Sequence, residues 1–295
     1  MSAARNLETM NHQKRKVKLA IISDVHLGTY GCHAKELLHY LKSIEPEILV
    51  LNGDIIDMWQ FKKSYWPREH MRVIKHITGL LAKNTPVWYV AGNHDEMMRK
   101  FVGFEMGSFK IVNKVVLELD GRSAWIFHGD VFDVTMKNSK WLAKLGSTGY
   151  DFLILLNHIV NQISSKLGRG KISFSKKIKN SVKSAVKYID NFEHTAAEIG
   201  ISKGYSYVVC GHIHQPDIRT ITTSKGSIQY LNSGDWVENL TALEYNEGHW
   251  RICRFSEDKQ AFALMEQDNF GKEPDDKELF DALMREFKII PSCDS

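Results

Sequence analysis

Apolar runs of strand length recur along the chain, each ending in Ser, Asp, Asn, His or Gly. In the first third they alternate with stretches of helical period. "VKLAII" (17–22) leads into Ser23 and Asp24 and reads as a buried strand. "AKELLHYLKSI" (34–44) sets Leu37, Leu38, Leu41 and Ile44 on one helical face, with Pro46 expected to stop the helix. "EILVLNG" (47–53) is the next strand, "EHMRVIKHITGLLAK" (69–83) the next helix and "VWYVAGN" (87–93) a third strand. This alternation predicts a parallel sheet with crossover helices. Later come "KVVLEL" (114–119), "SAWIFHG" (123–129), "YSYVVCG" (205–211), "SIQYLNSG" (227–234), "LTALEY" (240–245) and "HWRICRF" (249–255). They are short, closely spaced and mostly without intervening helices, so they predict a second, mixed or antiparallel sheet. The expected fold is α/β, two stacked mixed sheets flanked by helices.

The organisation expected is a disordered segment over 1–16, one domain over 17–255 with a helical insertion at about 134–203, and an acidic segment over 256–295. A chain of 295 residues with 43% hydrophobic and 25% charged residues is long enough for one large core. The net charge of +4 is too small by itself to argue for nucleic acid. Its distribution says more. Phe152 to Ile189 holds eight Lys or Arg and no acid, whereas Ser256 to the end holds eleven acids and five bases. The first block suits an anionic surface; the second reads as a solvated tail or a helix laid on the domain. Cys32, Cys210, Cys253 and Cys293 form no C-x-x-C pair and read as reduced thiols. The basic N-terminus is followed only by a strand-length apolar run, so it is not read as a signal peptide, and no run reaches the roughly 18 apolar residues of a membrane span. The expected location is cytoplasmic.

The residues that end the strands carry the chemistry. "SDVHLG" supplies Asp24 and His26, "NGDIID" supplies Asp54, and "AGNHDE" supplies Asn93, His94 and Asp95. "FHGD" supplies His128 and Asp130, and "CGHIH" supplies His212 and His214. In open α/β sheets such groups converge beyond the carboxyl ends of the strands. Each motif alone has a plain explanation: a turn aspartate beside a surface histidine, a Gly-Asn turn, or a solvated strand end. Five of them, each directly after an apolar run, point to a metal site. Asp, Asn and His suit Mn²⁺, Fe²⁺ or Zn²⁺, and the lack of thiolates argues against structural zinc. Asp57, one turn after Asp54, reads as a helix or loop anchor rather than a ligand.

In this order, D-x-H, G-D, G-N-H-D, H-G-D and G-H-x-H resemble the signature of the calcineurin-like metallophosphoesterases, spanning residues 24 to 214. "ISDVHLGTYGCHAKELLHYL", "NGDIIDMW", "GHIHQP" and "NSGDWVENLTAL" are similar to the branch containing the UDP-2,3-diacylglucosamine pyrophosphohydrolases of lipid A synthesis. The resemblance implies a four-layer α-β-β-α fold and two divalent metals, with Mn²⁺ favoured. It implies that Asp24, His26, Asp54 and His214 hold one metal and that Asp54, Asn93, His128 and His212 hold the other, with Asp54 as the bridge. His94 would act on the phosphoryl group or its leaving oxygen, oriented by Asp95, while Asp130 would hold His128. One departure is visible: the best-known members of that branch carry Arg in place of His94.

The insertion bears on the substrate. Residues 140–171 cluster aliphatic residues before Lys166, Arg169 and Lys171, and 175–189 place Ile178, Val182, Val186 and Ile189 among lysines. Such a segment reads as an interfacial helix on an anionic membrane, as a lid over acyl chains, or as an ordinary packed hairpin. The resemblance favours the lid and a nucleotide-linked acylated sugar, with peripheral contact of 140–190 with the inner membrane. Trp59, Phe61, Tyr65 and Trp66 either line the same groove or pack the loop. A soluble phosphoester substrate is the alternative. Nucleic acid is not expected, because the lysines of 166–187 alternate with aliphatic residues rather than stacking aromatics.

Overall fold

The computed structural model describes residues 14–59, 65–132 and 175–267. β1 (Arg15–Ile22), α1 (Ala34–Ser43), β2 (Ile44–Asn52), α2 (Arg68–Ala82) and β3 (Val87–Val90) follow one another as the periodicity predicts. The three strands pair in parallel. Then come β4 (Glu105–Met106), β5 (Phe109–Val112), β6 (Val115–Leu119) and β7 (Arg122–Ile126). α3 (Ser175–Ser202), β8 (Tyr207–Cys210), β9 (Asp217–Thr223) and β10 (Gly226–Asn232) follow. β11 (Thr241–Asn246), β12 (His249–Arg254) and α4 (Lys259–Gln267) complete the described chain.

The strands form two mixed sheets, ordered β12-β11-β1-β2-β3-β5-β4 and β6-β7-β8-β10-β9. β1 shows why both faces of a sheet must be covered. Leu19 and Ile21 point between the sheets, against Ile126, Val209 and Leu231. Ala20 and Ile22 point the other way, toward Leu37 and Leu41 of α1 and Val73 of α2. Beyond the second sheet, Val208, Cys210 and Tyr230 pack on Phe192, Ala196 and Ala197 of α3. The result is four layers, helix–sheet–sheet–helix.

Two expectations need correction. The second strand begins at Ile44 rather than Glu47, so Pro46, three residues beyond the end of α1, lies inside β2 opposite Val17. The helix closes at Ser43: proline disfavours helical backbone at Glu45 before it, and Ile44 is already extended (φ −114°, ψ 158°). β11 and β12 do not join the second sheet. β11 pairs antiparallel with β1, Ala20 opposite Glu244, and β12 follows it at the edge. β11 has apolar residues on both faces, Leu243 between the sheets and Ala242 toward the helices, and a position beside β1 covers both. β4, β5 and β9 were not foreseen; they are short or exposed strands whose alternation is weak.

Of the helical insertion, 133–174 lies outside the described residues. The last part of α3 is an integral outer layer: Phe192 is wholly buried, and Glu193 pairs with Arg219 of β9. At the far end Asp258 Oδ1 accepts from the Ala261 N–H, capping α4, and its other oxygen receives Arg15 at 3.0 Å. Cys32, Cys210 and Cys253 are free thiols.

Candidate metal centre

β1, β2 and β3 of one sheet and β7 and β8 of the other release their chains at the same edge, and their next residues meet there. The loops are tied to one another before any side chain is considered. The Asp24 N–H donates to Gly53 O (3.0 Å), and the N–H groups of Val25 and His26 both reach Asp54 O (2.9 Å each). The Gly211 N–H donates to His128 O (2.9 Å). The sequence permits this crowding through Gly53, whose φ is +82° and whose missing Cβ would lie 2.3 Å from the His128 ring.

Asp24, His26, Asp54, His212 and His214 all have positive φ, between 52° and 64°. Left-handed backbone at a non-glycine residue costs about 1–3 kcal/mol and persists only where its surroundings over-determine it. Here they do. Asp24 Oδ2 accepts from the His212 N–H (3.1 Å) and Asp54 Oδ1 from the His94 N–H (2.8 Å). Each carboxylate thus fastens the loop that follows another strand.

The side chains form overlapping groups: Asp24, His26 and His214; His26, Asp54 and His94; and Asp54, His128 and His212. Within each, one donor atom per residue lies within 4.8 Å of the others. Asn93 adjoins the last group, its Oδ1 lying 3.3 Å from His128 Nε2. His26 is shared by the first two groups and Asp54 by the last two, with Asp54 Oδ2 3.3 Å from His128 Nε2. A family model described as calcineurin-like phosphoesterase matches residues 17–216, which contain every one of these groups. The chain belongs to the calcineurin-like phosphoesterases.

This calcineurin-like phosphoesterase is 23% identical over 239 residues to the UDP-2,3-diacylglucosamine hydrolase of Aliivibrio fischeri (strain MJ11), an alignment covering 78% of this chain and 95% of that one. It is 26% identical over 227 residues to the UDP-2,3-diacylglucosamine hydrolase of Enterobacter sp. (strain 638), covering 73% and 89%. Among solved structures, an archaeal phosphodiesterase aligns over 80% of this chain and 98% of its own, at 13% identity and a TM-score of 0.42.

The residues of this phosphoesterase fit divalent cations. Asp24 Oδ1 is buried, and the charged partner beside it is the His214 ring, whose Nε2 lies 3.1 Å away. A buried carboxylate oxygen is costly unless a cation meets it. His128 Nδ1 donates to Asn52 O (2.9 Å), which leaves Nε2 directed at Asp54 as a metal-ligating histidine requires. Electrostatics point the same way. Burial opposes charge on His128 and His214, yet Asp54 and Asp24 override it for His128 and Asp24 does so for His214, raising His128 well above its ordinary value and His214 to about 9. Burial pushes the Asp24 carboxyl up, but His214 and His128 hold it at about 2. Asp54 is held lower still, against its own burial, first by His128. The pocket demands positive charge among its carboxylates, and divalent cations meet that demand by displacing the histidine protons.

Two carboxylates expected to hold histidine rings bind elsewhere. Asp95 does not orient His94. Its carboxylate accepts the Ile55 N–H (2.9 Å), the Gly92 N–H (2.6 Å) and the Tyr89 hydroxyl, which leaves it no geometry for the neighbouring ring. Asp57 takes that place: its Oδ2 lies 2.9 Å from His94 Nδ1 and 3.2 Å from His26 Nδ1, and its Oδ1 accepts the Trp59 N–H. Asp130 pairs with Arg99 (2.6 Å) instead of His128, whose Nδ1 is occupied by the Asn52 carbonyl. The only sequence signal for Asp57 was a second carboxylate in an otherwise apolar stretch.

Sequence reasoning also missed the loop after β10. Asp235 gathers the N–H groups of Val237 and Asn239, and Asn239 Nδ2 donates to His214 O (2.8 Å), buttressing that histidine. Of the aromatic residues after β2, Trp59 tilts over the His94 ring at 4.3 Å. Tyr65 packs on Tyr30 and Trp66 on His70, so these two hold the loop; Phe61 lies outside the described residues.

Proposed function

We propose that this phosphoesterase hydrolyses UDP-2,3-diacylglucosamine between its two phosphates, giving UMP and 2,3-diacylglucosamine 1-phosphate, a step of lipid A synthesis. The observation that carries the hydrolytic half is the buried Asp54 carboxylate shared between two donor groups, with a buried Asp24 oxygen beside it. The substrate half is supported by relatives of that name matching nearly their full lengths. In this reading Asp24, His26, Asp54 and His214 would hold one metal and Asp54, Asn93, His128 and His212 the other, with Mn²⁺ as the native ion for an oxygen- and imidazole-rich set. When bound, two such ions neutralise charge on the transferring phosphoryl group and acidify water.

The chain's own groups do the rest. Asp57 fixes His94 through Nδ1, so the proton available to substrate is on Nε2. Burial opposes charge on that ring, but the hydrogen bond to the Asp57 carboxylate, which is not among the proposed ligands, works to raise its pKa above the ordinary histidine value. A protonated His94 is then available to donate to the departing phosphate oxygen as the bond between bridging oxygen and attacked phosphorus breaks. It also offsets phosphoryl charge, as the arginine of related enzymes does.

The membrane reading remains part of this proposal. Among the described residues no helix is long and apolar enough to span a bilayer. The basic 140–190 stretch is proposed to touch the cytoplasmic face of the inner membrane; most of it lies outside the described residues.

A product assay with added Mn²⁺ tests the reading on UDP-2,3-diacylglucosamine, UDP-N-acetylglucosamine and a bis-aryl phosphodiester, with Asp54→Ala as control. UMP released from the acylated substrate alone, and not by Asp54→Ala, is the expected result. Turnover of the aryl diester only would keep the metal centre and remove the lipid substrate.

A further inference from the structure

Eleven large apolar side chains are exposed among the described residues, and five of them fall within ten positions: Met97, Phe101, Val102, Phe104 and Met106, each 40–61% exposed. Scattered exposed apolar residues are ordinary; five within one short, backbone-bonded segment are a candidate interaction surface. The segment is not a loose loop. The Phe104 N–H donates to Phe101 O (2.9 Å), the Gly103 N–H to Ile111 O (2.9 Å) and the Ile111 N–H to Phe104 O (3.0 Å). Met98 and Phe109 anchor it by packing inward on the core beneath. Backbone bonds and buried neighbours therefore hold five apolar side chains outward in a fixed ridge along the β4 edge of the larger sheet.

The ridge begins at the metal centre. A cavity of about 520 Å³ opens beside His94 and is lined by Met58, Trp59, Glu96, Met97, Arg99 and Lys100, so its rim carries two cations and one carboxylate. Met97 belongs to both cavity and ridge. Lys100 stands next to Phe101, exposed at the junction. Nearby, Glu105 is already neutralised by Lys110 (3.0 Å), and Arg99 by Asp130.

We infer that the Met97–Met106 ridge is a membrane-docking surface: Phe101, Val102, Phe104 and Met106 enter the interfacial region of a bilayer, and the cavity at the ridge's base receives a phosphorylated amphiphile directly from it. Three features select a lipid surface over a protein. The ridge is aliphatic and aromatic, and Lys100 and Arg99 outnumber Glu96 at its cavity end, the composition of an interfacial anchor. β4 is two residues long, too short an edge for another chain's strand to extend. The ridge is also continuous with a cavity that reaches His94, so an amphiphile whose apolar part stays in the bilayer can present its phosphate to the site. The inference rests on the acylated-substrate reading for its biological sense, but not for its test.

The test is co-sedimentation of the full-length chain with vesicles of phosphatidylethanolamine and phosphatidylglycerol, without substrate. Wild-type protein is expected to bind. Phe101→Glu/Phe104→Glu is expected to lower the partition coefficient by at least about tenfold, the scale of losing two interfacial aromatic anchors. Phe101→Ser/Phe104→Ser serves as a milder pair should the charged one fold poorly. Val116→Glu, an equally exposed apolar position on β6 of the other sheet, is expected to bind like wild type. Wild-type protein that stays in the supernatant would overturn the inference, as would ridge variants that bind undiminished. So would light scattering showing a dimer that the Phe101/Phe104 variants abolish, because the ridge would then be covered by a second copy. Because no catalysis is read, failure to cleave UDP-2,3-diacylglucosamine would change the substrate and leave this result standing.

Discussion

Gly92 has no room for a methyl group: a Cβ there would lie 2.2 Å from Asp54 Oδ1. Gly92→Ala is therefore expected to push the shared carboxylate out of place and lower metal affinity by about 10–100-fold, the usual cost of disturbing a ligand's support. Metal content after dialysis against a competing chelator measures this. Asp57 acts through His94 and His26 and is a positioning residue. Asp57→Asn keeps the shape but removes the carboxylate that fixes both Nδ1 atoms. Its kcat on an aryl diester is expected to fall about 100-fold, within the range for a mispositioned proton donor, with KM changing far less. An equal rise in KM would mean that Asp57 supports substrate binding instead. At this scale much was legible: Asp24, His26, Asp54, Asn93, His94, His128, His212 and His214 were singled out from local motifs and lie together in the structure. Asp57, Asp235 and Asn239 were not given their roles, because nothing in a linear string says which distant ring or carbonyl a polar side chain will meet.

Among the elements, β1 and α4 are joined far from the metal centre by a partly buried charge network. Arg15 lies 2.8 Å from Glu244 Oε1 and 3.0 Å from Asp258 Oδ2, and Arg251 holds the other oxygen of Glu244. Removing Arg15 leaves the buried Glu244 with one cation, so Arg15→Ala is expected to cost about 2 kcal/mol in urea unfolding, less than for a fully buried pair because Arg15 is partly solvated. The pH dependence follows from Asp258. Burial pushes its carboxyl up, but the Ala261 N–H and Arg15 bring it below the usual range. A depressed folded-state pKa gives stability that is present above the unfolded value, near pH 4, and is lost as pH falls through the folded one. Wild-type protein is thus expected to lose stability below about pH 4 more steeply than Arg15→Ala, read from unfolding midpoints across that range. On the opposite face, Phe192 of α3 is wholly buried against Phe132. Phe192→Ala is expected to cost about 3–5 kcal/mol, which would establish α3 as a structural layer and not only a cover for substrate.

For the whole molecule, the metal centre is also a clasp between the sheets, since its residues come from the ends of β1, β2 and β3 on one side and β7 and β8 on the other. Ligation that occurs only in the folded state adds stability by mass action, about 4 kcal/mol at a thousandfold excess over Kd. Chelation is therefore expected to lower Tm by several degrees and to abolish hydrolysis, with added Mn²⁺ restoring both; Asp54→Ala is expected to show no such metal-dependent shift. Local pattern by itself determined the β-α-β-α-β opening, the strand-end placement of the chemical groups and the choice of O and N donors. These depend on residues a few positions apart, where periodicity and turn chemistry act. Only the tertiary structure decided that β11 and β12 complete the first sheet, that Asp57 rather than Asp95 holds His94, and that an apolar ridge runs outward from the site. Sheet membership depends on which face a neighbour covers, hydrogen-bond partners on which loops converge, and exposure on what the rest of the chain leaves unburied. All three are set by contacts between residues far apart in sequence.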